Sequence, residues 1–157
     1  HTPISVAASH GRVNTVACLL DMWGVEINGR GLIDPPISRA VAHGHLDVAR
    51  LLVQQGARLN INESTIASHD TALCIAARGG DLQMAQALLH HDQTDANLRN
   101  KWFENPLILA VKGGLISIKE ILAKNDYIKT ASRSRMEDDS IPQILLRRSP
   151  RTRFGGL

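Results

Sequence analysis

Thr2-Pro3-Ile4-Ser5-Val6-Ala7-Ala8-Ser9-His10-Gly11 is the first of four versions of one phrase in this chain. The others are Pro36-Ile37-Ser38-Arg39-Ala40-Val41-Ala42-His43-Gly44, Thr71-Ala72-Leu73-Cys74-Ile75-Ala76-Ala77-Arg78-Gly79-Gly80 and Asn105-Pro106-Leu107-Ile108-Leu109-Ala110-Val111-Lys112-Gly113-Gly114. From Gly11 through Gly44 and Gly80 to Gly114 the steps are 33, 36 and 34 residues. A period of about 20–50 residues marks stacked supersecondary units, each too small to enclose a core of its own.

Every copy carries its own start and stop. Thr2, Thr71 and Asn105 are helix N-cap types, because their side-chain oxygens accept from the unpaired N–H groups of a first turn. Pro3, Pro36 and Pro106 follow at the first helical position, where a missing N–H costs nothing. Asp34 stands near Pro36 as a less regular cap. Gly11, Gly44, Gly80 and Gly114 each close a helix of about two turns, since glycine tolerates the left-handed conformation there. A second helix is predicted after each: Val13 to Leu20, Leu46 to Val53, Leu82 to Leu89 and Ile116 to Ala123. Apolar residues such as Leu46, Ala49, Leu52 and Val53 recur there at helical spacing. Helices this short are marginal alone, so stacking has to stabilise them. The Ala pairs of the first helices allow that stacking to be close. Gly24 to Asn28, Gly56 to Asn60 and Asp95 to Asn97 read as turns between the pairs.

Composition agrees with thin, closely packed helices. The 157 residues are 43% apolar and only 3% aromatic, so Leu, Ile, Val and Ala must fill the interior. No stretch approaches the roughly 20 apolar residues that cross a bilayer, and no basic-then-apolar signal opens the chain. A cytoplasmic or nuclear location is expected. Cys18 and Cys74 fall in different repeats, beyond disulfide reach, and both are expected to be small buried groups. Net charge is +3, but residues 1–128 carry 11 Lys/Arg against 12 Asp/Glu while residues 129–157 carry 7 against 3. The basicity belongs to the tail, which argues against polyanion binding by the repeats. The chain opens at His1 with Thr2-Pro3 already at a helix start. A fragment or processed form, with an upstream hairpin or cap, is therefore expected.

Taken together, these residues resemble the ankyrin repeat, with its T-P-L-H-x-A-A-x-x-G-H-L-x-x-V-x-x-L-L-x-x-G-A-x-x-N unit. The run from Gly44-His45-Leu46 through Leu51-Leu52 to Gly56-Ala57-Arg58-Leu59-Asn60 follows it closely, and the likeness covers residues 2–124. The resemblance implies an all-α repeat solenoid: stacked helix-turn-helix repeats joined by β-turn or hairpin fingers. The array is placed at 1–128, with repeats at about 2–34, 35–69, 70–104 and 105–128. Residues 129–157 read as a polar loop, a degenerate capping helix near 141–147 and a basic flexible tail. Where the family has His after T-P-L, this chain has Ser5, Ser38, Cys74 and Ile108. The usual Thr–His hydrogen bonds are then lost, and modest stability is expected.

Chemistry is sparse. No P-loop, G-x-S-x-G, H-E-x-x-H, C-x-x-C or EF-hand pattern occurs. No cofactor, metal or catalytic residue is expected. His45 fills the family's structural G-H position, and His90-His91 end a second helix, where positive charge suits the helix dipole. His10 and His43, each one residue before the glycine, are expected on adjacent inner helices. Two imidazoles without a further ligand make a poor zinc site.

The resemblance further implies partner binding by inner helices and finger tips. The candidate partner-binding residues are His10, Arg30, Leu32, Ile33, Arg39, His43, Arg78, Lys101, Trp102, Phe103 and Lys112. Exposed apolar tips require an explanation, and Trp and Arg dominate binding hot spots. Trp102 and Phe103 have a second reading, folding back as packing onto the next repeat. Arg39 either snorkels at a groove edge or meets a carboxylate. The expected function is a non-enzymatic, monomeric scaffold that binds a peptide or protein partner and no membrane. The alternative is an enzyme, or an accessory domain of one, with a small-molecule pocket lined by His10, Arg39 and His43. Nucleic acid contact, as a third reading, is assigned to Arg147–Arg153 in the basic tail.

Overall fold

Helices pair in the computed structural model, which describes residues 2–125. The helices are α1 (Pro3–Ser9), α2 (Val13–Leu20), α3 (Pro36–Ala42), α4 (Leu46–Val53), α5 (Ala72–Gly79), α6 (Leu82–Leu89), α7 (Pro106–Lys112) and α8 (116–125). A 3₁₀ turn, Gly56–Arg58, follows α4. The expectations for residues 126–157, including the capping helix and the basic tail, lie outside the described residues.

The helix boundaries follow from their caps. Thr2 Oγ1 accepts from Ser5 N at 3.3 Å, Thr71 Oγ1 from Cys74 N at 3.3 Å, and Asn105 Oδ1 from Ile108 N at 2.9 Å. Asp81 caps α6 in the same way, accepting from Met84 N at 2.9 Å. At the other end of each first helix one hydrogen bond recurs in all four repeats. Arg12 N donates to Ala7 O, His45 N to Ala40 O, Asp81 N to Ala76 O and Leu115 N to Ala110 O, at 2.9–3.2 Å. This bond closes the helix over a glycine with φ of +66°, +73°, +77° or +65° and turns the chain into the second helix. At Gly11 the constraint is double, because a Cβ there would also fall 2.7 Å from the His45 ring.

First helices stack on first helices in the order α1, α3, α5, α7, and second helices in the order α2, α4, α6. The interior between the two rows is aliphatic. Ile4, Ile37 and Leu73 enter from the first row; Val48, Met84, Ile118, Leu52, Leu88 and Leu122 enter from the second, all buried. Ala8, Ala40, Ala77 and Ala110 are wholly buried where the first helices meet. Cys74 is buried as expected, but Cys18 is exposed. At about 100° per residue, Cys18 lies roughly opposite Val16 and Leu20, the buried residues of α2.

Side chains of each repeat also close the backbone of its neighbour. His45 Nε2 donates to Ser9 O at 3.1 Å, and His91 Nε2 to Gly56 O at 3.1 Å. His91 is therefore a buried tie between repeats, its Nδ1 lying 3.2 Å from Gln93 N. Along the fingers, Asn28 Oδ1 accepts from Asn60 N at 2.8 Å and Asn62 Oδ1 from Asp95 N at 2.9 Å. Glu63 accepts from Gly29 N at 2.7 Å and from Gly31 N at 3.1 Å.

The second repeat is the irregular one. Asp34 does not cap α3; its Oδ1 accepts from Ile66 N at 3.0 Å, in the next finger. Pro35 takes the cap position and offers no side-chain oxygen. Substitution of the family's His then has different results in different repeats. Ser5 Oγ donates to Thr2 O at 2.9 Å, and Thr71 Oγ1 donates to Cys74 Sγ at 3.4 Å. Ser38 Oγ is buried without a hydrogen-bond partner. An unmatched buried hydroxyl costs about 1–3 kcal/mol, whereas a satisfied one contributes about 1. Ser5→Ala should thus lower stability by about 1 kcal/mol, while Ser38→Ala should leave it unchanged or raise it by a similar amount. Urea unfolding midpoints of the two variants check the difference in sign.

Candidate functional site

Apolar side chains stand at the tips of three successive fingers. Leu32 is 83% exposed, Ile66 52%, Trp102 54% and Phe103 75%. Ile33 beside Leu32 is half-buried. Trp102 and Phe103 do not fold back as packing. The Lys101 ammonium lies 4.5 Å from the centre of the Trp102 ring and donates to Ala67 O at 2.6 Å. Its backbone N donates to Ser68 O at 3.1 Å. The third tip is thus fastened to the second.

Asn100 shapes the third tip. It is buried, and its Oδ1 accepts from Trp102 N and Glu104 N, both at 3.0 Å. Phe103 N donates to Asn100 O and Asn100 N to Glu104 O, each at 2.9 Å. That tight closure holds Phe103 at φ +61°, strained for a residue with a side chain. Arg30 is likewise left-handed at φ +52°, and it pairs with Glu26.

Asn100 in turn rests on Asp70, donating to its Oδ1 at 2.9 Å. Asp70 is buried and receives a two-pronged bond from Arg78, at 2.7 and 3.0 Å. Burial alone would push the Asp70 carboxyl up. Hydrogen bonds from Arg78, Asn100 and Ser68, with the Arg78 charge, outweigh it and hold the carboxyl below its ordinary range. The same bond to Asp70 raises Arg78, against its own burial. Glu104 pairs with Lys112, which lowers the Glu104 carboxyl. Arg78, Trp102, Glu104 and Lys112 together line an open depression of about 480 Å³.

Among the sequence candidates, the fold therefore gathers Arg78, Lys101, Trp102 and Lys112 in one place. The histidines are not part of it. His10 Nδ1 donates to Val6 O at 2.9 Å and His43 Nδ1 to Arg39 O at 2.8 Å, each within its own helix. The His43 ring stacks on His45 at 6.2 Å. Arg39 is half-buried on α3. No group of three His, Cys, Asp or Glu side chains able to hold a metal occurs among the described residues. None of the helices described is long and apolar enough to cross a membrane.

Sequence reasoning passed over Asp70, Asn100, Glu104 and Ile66, and the fully exposed Trp23 after α2. One signal was available. An acid precedes each later helix start, at Asp34, Asp70 and Glu104, and a cation follows eight residues on at Arg78 and Lys112 but not at Ala42.

A family model described as ankyrin repeats in three copies matches residues 37–133. Another, for ankyrin repeats in many copies, matches residues 4–53. The chain is 32% identical over 124 residues to the ankyrin repeat and KH domain-containing protein CBG24701 of Caenorhabditis briggsae, covering 78% of this chain and 5% of that protein. It is 33% identical over 108 residues to ankyrin repeat and KH domain-containing protein 1 of Homo sapiens, covering 68% and 4%. Against the ankyrin repeat and KH domain-containing protein mask of Drosophila melanogaster it is 34% identical over 110 residues, covering 68% and 3%. This chain thus spans no more than about a twentieth of these relatives.

The Asp70 clamp gives a pH-dependent expectation. A carboxyl held low in the fold contributes stability above its unfolded value of about 3.9 and loses it as pH falls through the folded value. Wild-type stability should decline below about pH 4, and the gap between wild type and Asp70→Asn should narrow over the same range. Arg78→Ala, which leaves the buried carboxylate only its neutral donors, should cost about 1–3 kcal/mol at neutral pH. Denaturant unfolding across pH measures both effects.

Proposed function

Because the chain belongs to the ankyrin repeat family, we propose that it is a non-enzymatic scaffold that binds a protein or peptide through its finger tips and first-helix row. Ankyrin repeats in general are protein-interaction modules, and the finer assignment rests on one observation. Leu32, Ile66, Trp102 and Phe103 remain exposed on three successive fingers, while cross-repeat hydrogen bonds fix the backbones beneath them. A large apolar side chain already held in place loses little entropy on binding and releases its water at once. Such a row is costly in water.

The partner would cross the tips and reach the first-helix residues His10, Arg39, His43, Arg78 and Lys112, with Arg30, Ile33 and Lys101 at its edges. Trp102 is the expected anchor. Panning a displayed library of random linear peptides against the full chain tests this reading. Selected peptides should bind Trp102→Ala about tenfold or more weakly, in line with a hot-spot side chain, and Leu32→Ser less severely. Affinity unchanged in both variants, with unaltered melting curves, would remove the finger tips from the interface.

A further inference from the structure

We infer that the depression between the third and fourth repeats takes an acidic linear segment of a protein partner, anchored on Trp102 and Lys112. The inference rests on the scaffold reading and names the partner's chemistry. It is carried by the way charge is layered there. Arg78 and Lys112 hold equivalent places, each eight residues after an acid, Asp70 or Glu104. In both pairs the acid is inside and the cation outside. Side-chain exposure is 2% for Asp70 against 46% for Arg78, and 16% for Glu104 against 65% for Lys112.

The layering leaves donors facing outward. A guanidinium has five N–H groups and an ammonium three. Asp70 takes bonds from two of the Arg78 nitrogens, and Glu104 takes one from Lys112. The remaining donors border the same depression as the Trp102 ring. Lys101 lies over that ring and adds a third positive charge. At the exposed surface Arg78, Lys112 and Lys101 stand against the less exposed Glu104. A carboxylate from a partner thus meets a rim with more positive than negative charge, and an apolar side chain beside it meets the indole. The first two repeats lack this arrangement, since Ser9 and Ala42 stand where Arg78 and Lys112 do.

Nucleic acid fits less well. Residues 2–125 carry 11 Lys/Arg and 11 Asp/Glu, so no extended positive field exists to hold a phosphate backbone.

The test uses the full chain with Trp23→Phe, which leaves Trp102 as the one tryptophan reporting by fluorescence. The probes are a labelled Glu-rich peptide with a central Phe, the same peptide with Gln for Glu, and oligo(dT). The Glu peptide should perturb Trp102 emission and bind at least about tenfold tighter than the Gln peptide, with affinity falling as salt rises. Lys112→Glu, at an exposed position, should weaken it about tenfold while the melting curve holds. Lys101→Glu should weaken it as well, with a lowered melting curve, because it also removes the bond to Ala67 O. Equal binding of the Glu and Gln peptides, indifference to Lys112→Glu, or oligo(dT) binding as tightly as the Glu peptide overturns the inference. The library selection separates the two readings. Neutral or basic peptides that still depend on Trp102 would refute the acidic partner and leave the scaffold standing, whereas no binder in either assay counts against both.

Discussion

A helix of seven or eight residues cannot hold itself together in water, and every α-helix from α1 to α7 is that short. Everything else in the molecule answers to this constraint. The Ala residues of the first helices matter because they bring neighbouring backbones close enough to bury Ile4, Ile37 and Leu73 completely or nearly so. The glycine turns matter because they fold each second helix back across its first without spending a long loop. Stability therefore resides in junctions between repeats more than in the repeats themselves.

Polar side chains obey the same rule. His45, His91, Asn28, Asn62, Glu63, Asp34 and Asn100 each satisfy a group roughly one repeat away. Such ties orient the fingers as well as stabilising them. The Asp70 carboxylate is heavily used as an acceptor, because it serves both Arg78 on α5 and Asn100 at the third finger tip. Its burial is tolerated only because several donors converge on it.

The array itself could be read from the chain. Caps, prolines and glycines obey local rules, and they fix α2, α4 and α6 to the residue. Features set across a junction were harder to read. Asp34 looks like a cap in one dimension, yet its acceptor is used by Ile66, a residue of the following finger. His91 looks like a helix-end charge until the neighbouring turn is placed beside it. Nothing local announces that Ser38 is stranded where Ser5 is satisfied, since each follows, three residues on, a residue whose backbone carbonyl could accept. Cys18 differs in kind, because counting around α2 from Val16 and Leu20 already turns it outward. The cationic depression was half legible. Its cations and its tryptophan stand out as residue types in the sequence, whereas the acids that aim them do so only through the eight-residue spacing.

Lys101 reaches back to the second finger for the carbonyl of Ala67 and at the same time covers the indole of Trp102. The tip surface therefore exists only while two neighbouring repeats are docked. Whatever grips that surface binds the docked state and not the separated one, and so acts as a clasp across the junction. By mass action, a ligand present at a hundred times its dissociation constant adds about 2.7 kcal/mol to that junction. In a solenoid of short helices, occupancy at one fingertip becomes mechanical reinforcement of the stack.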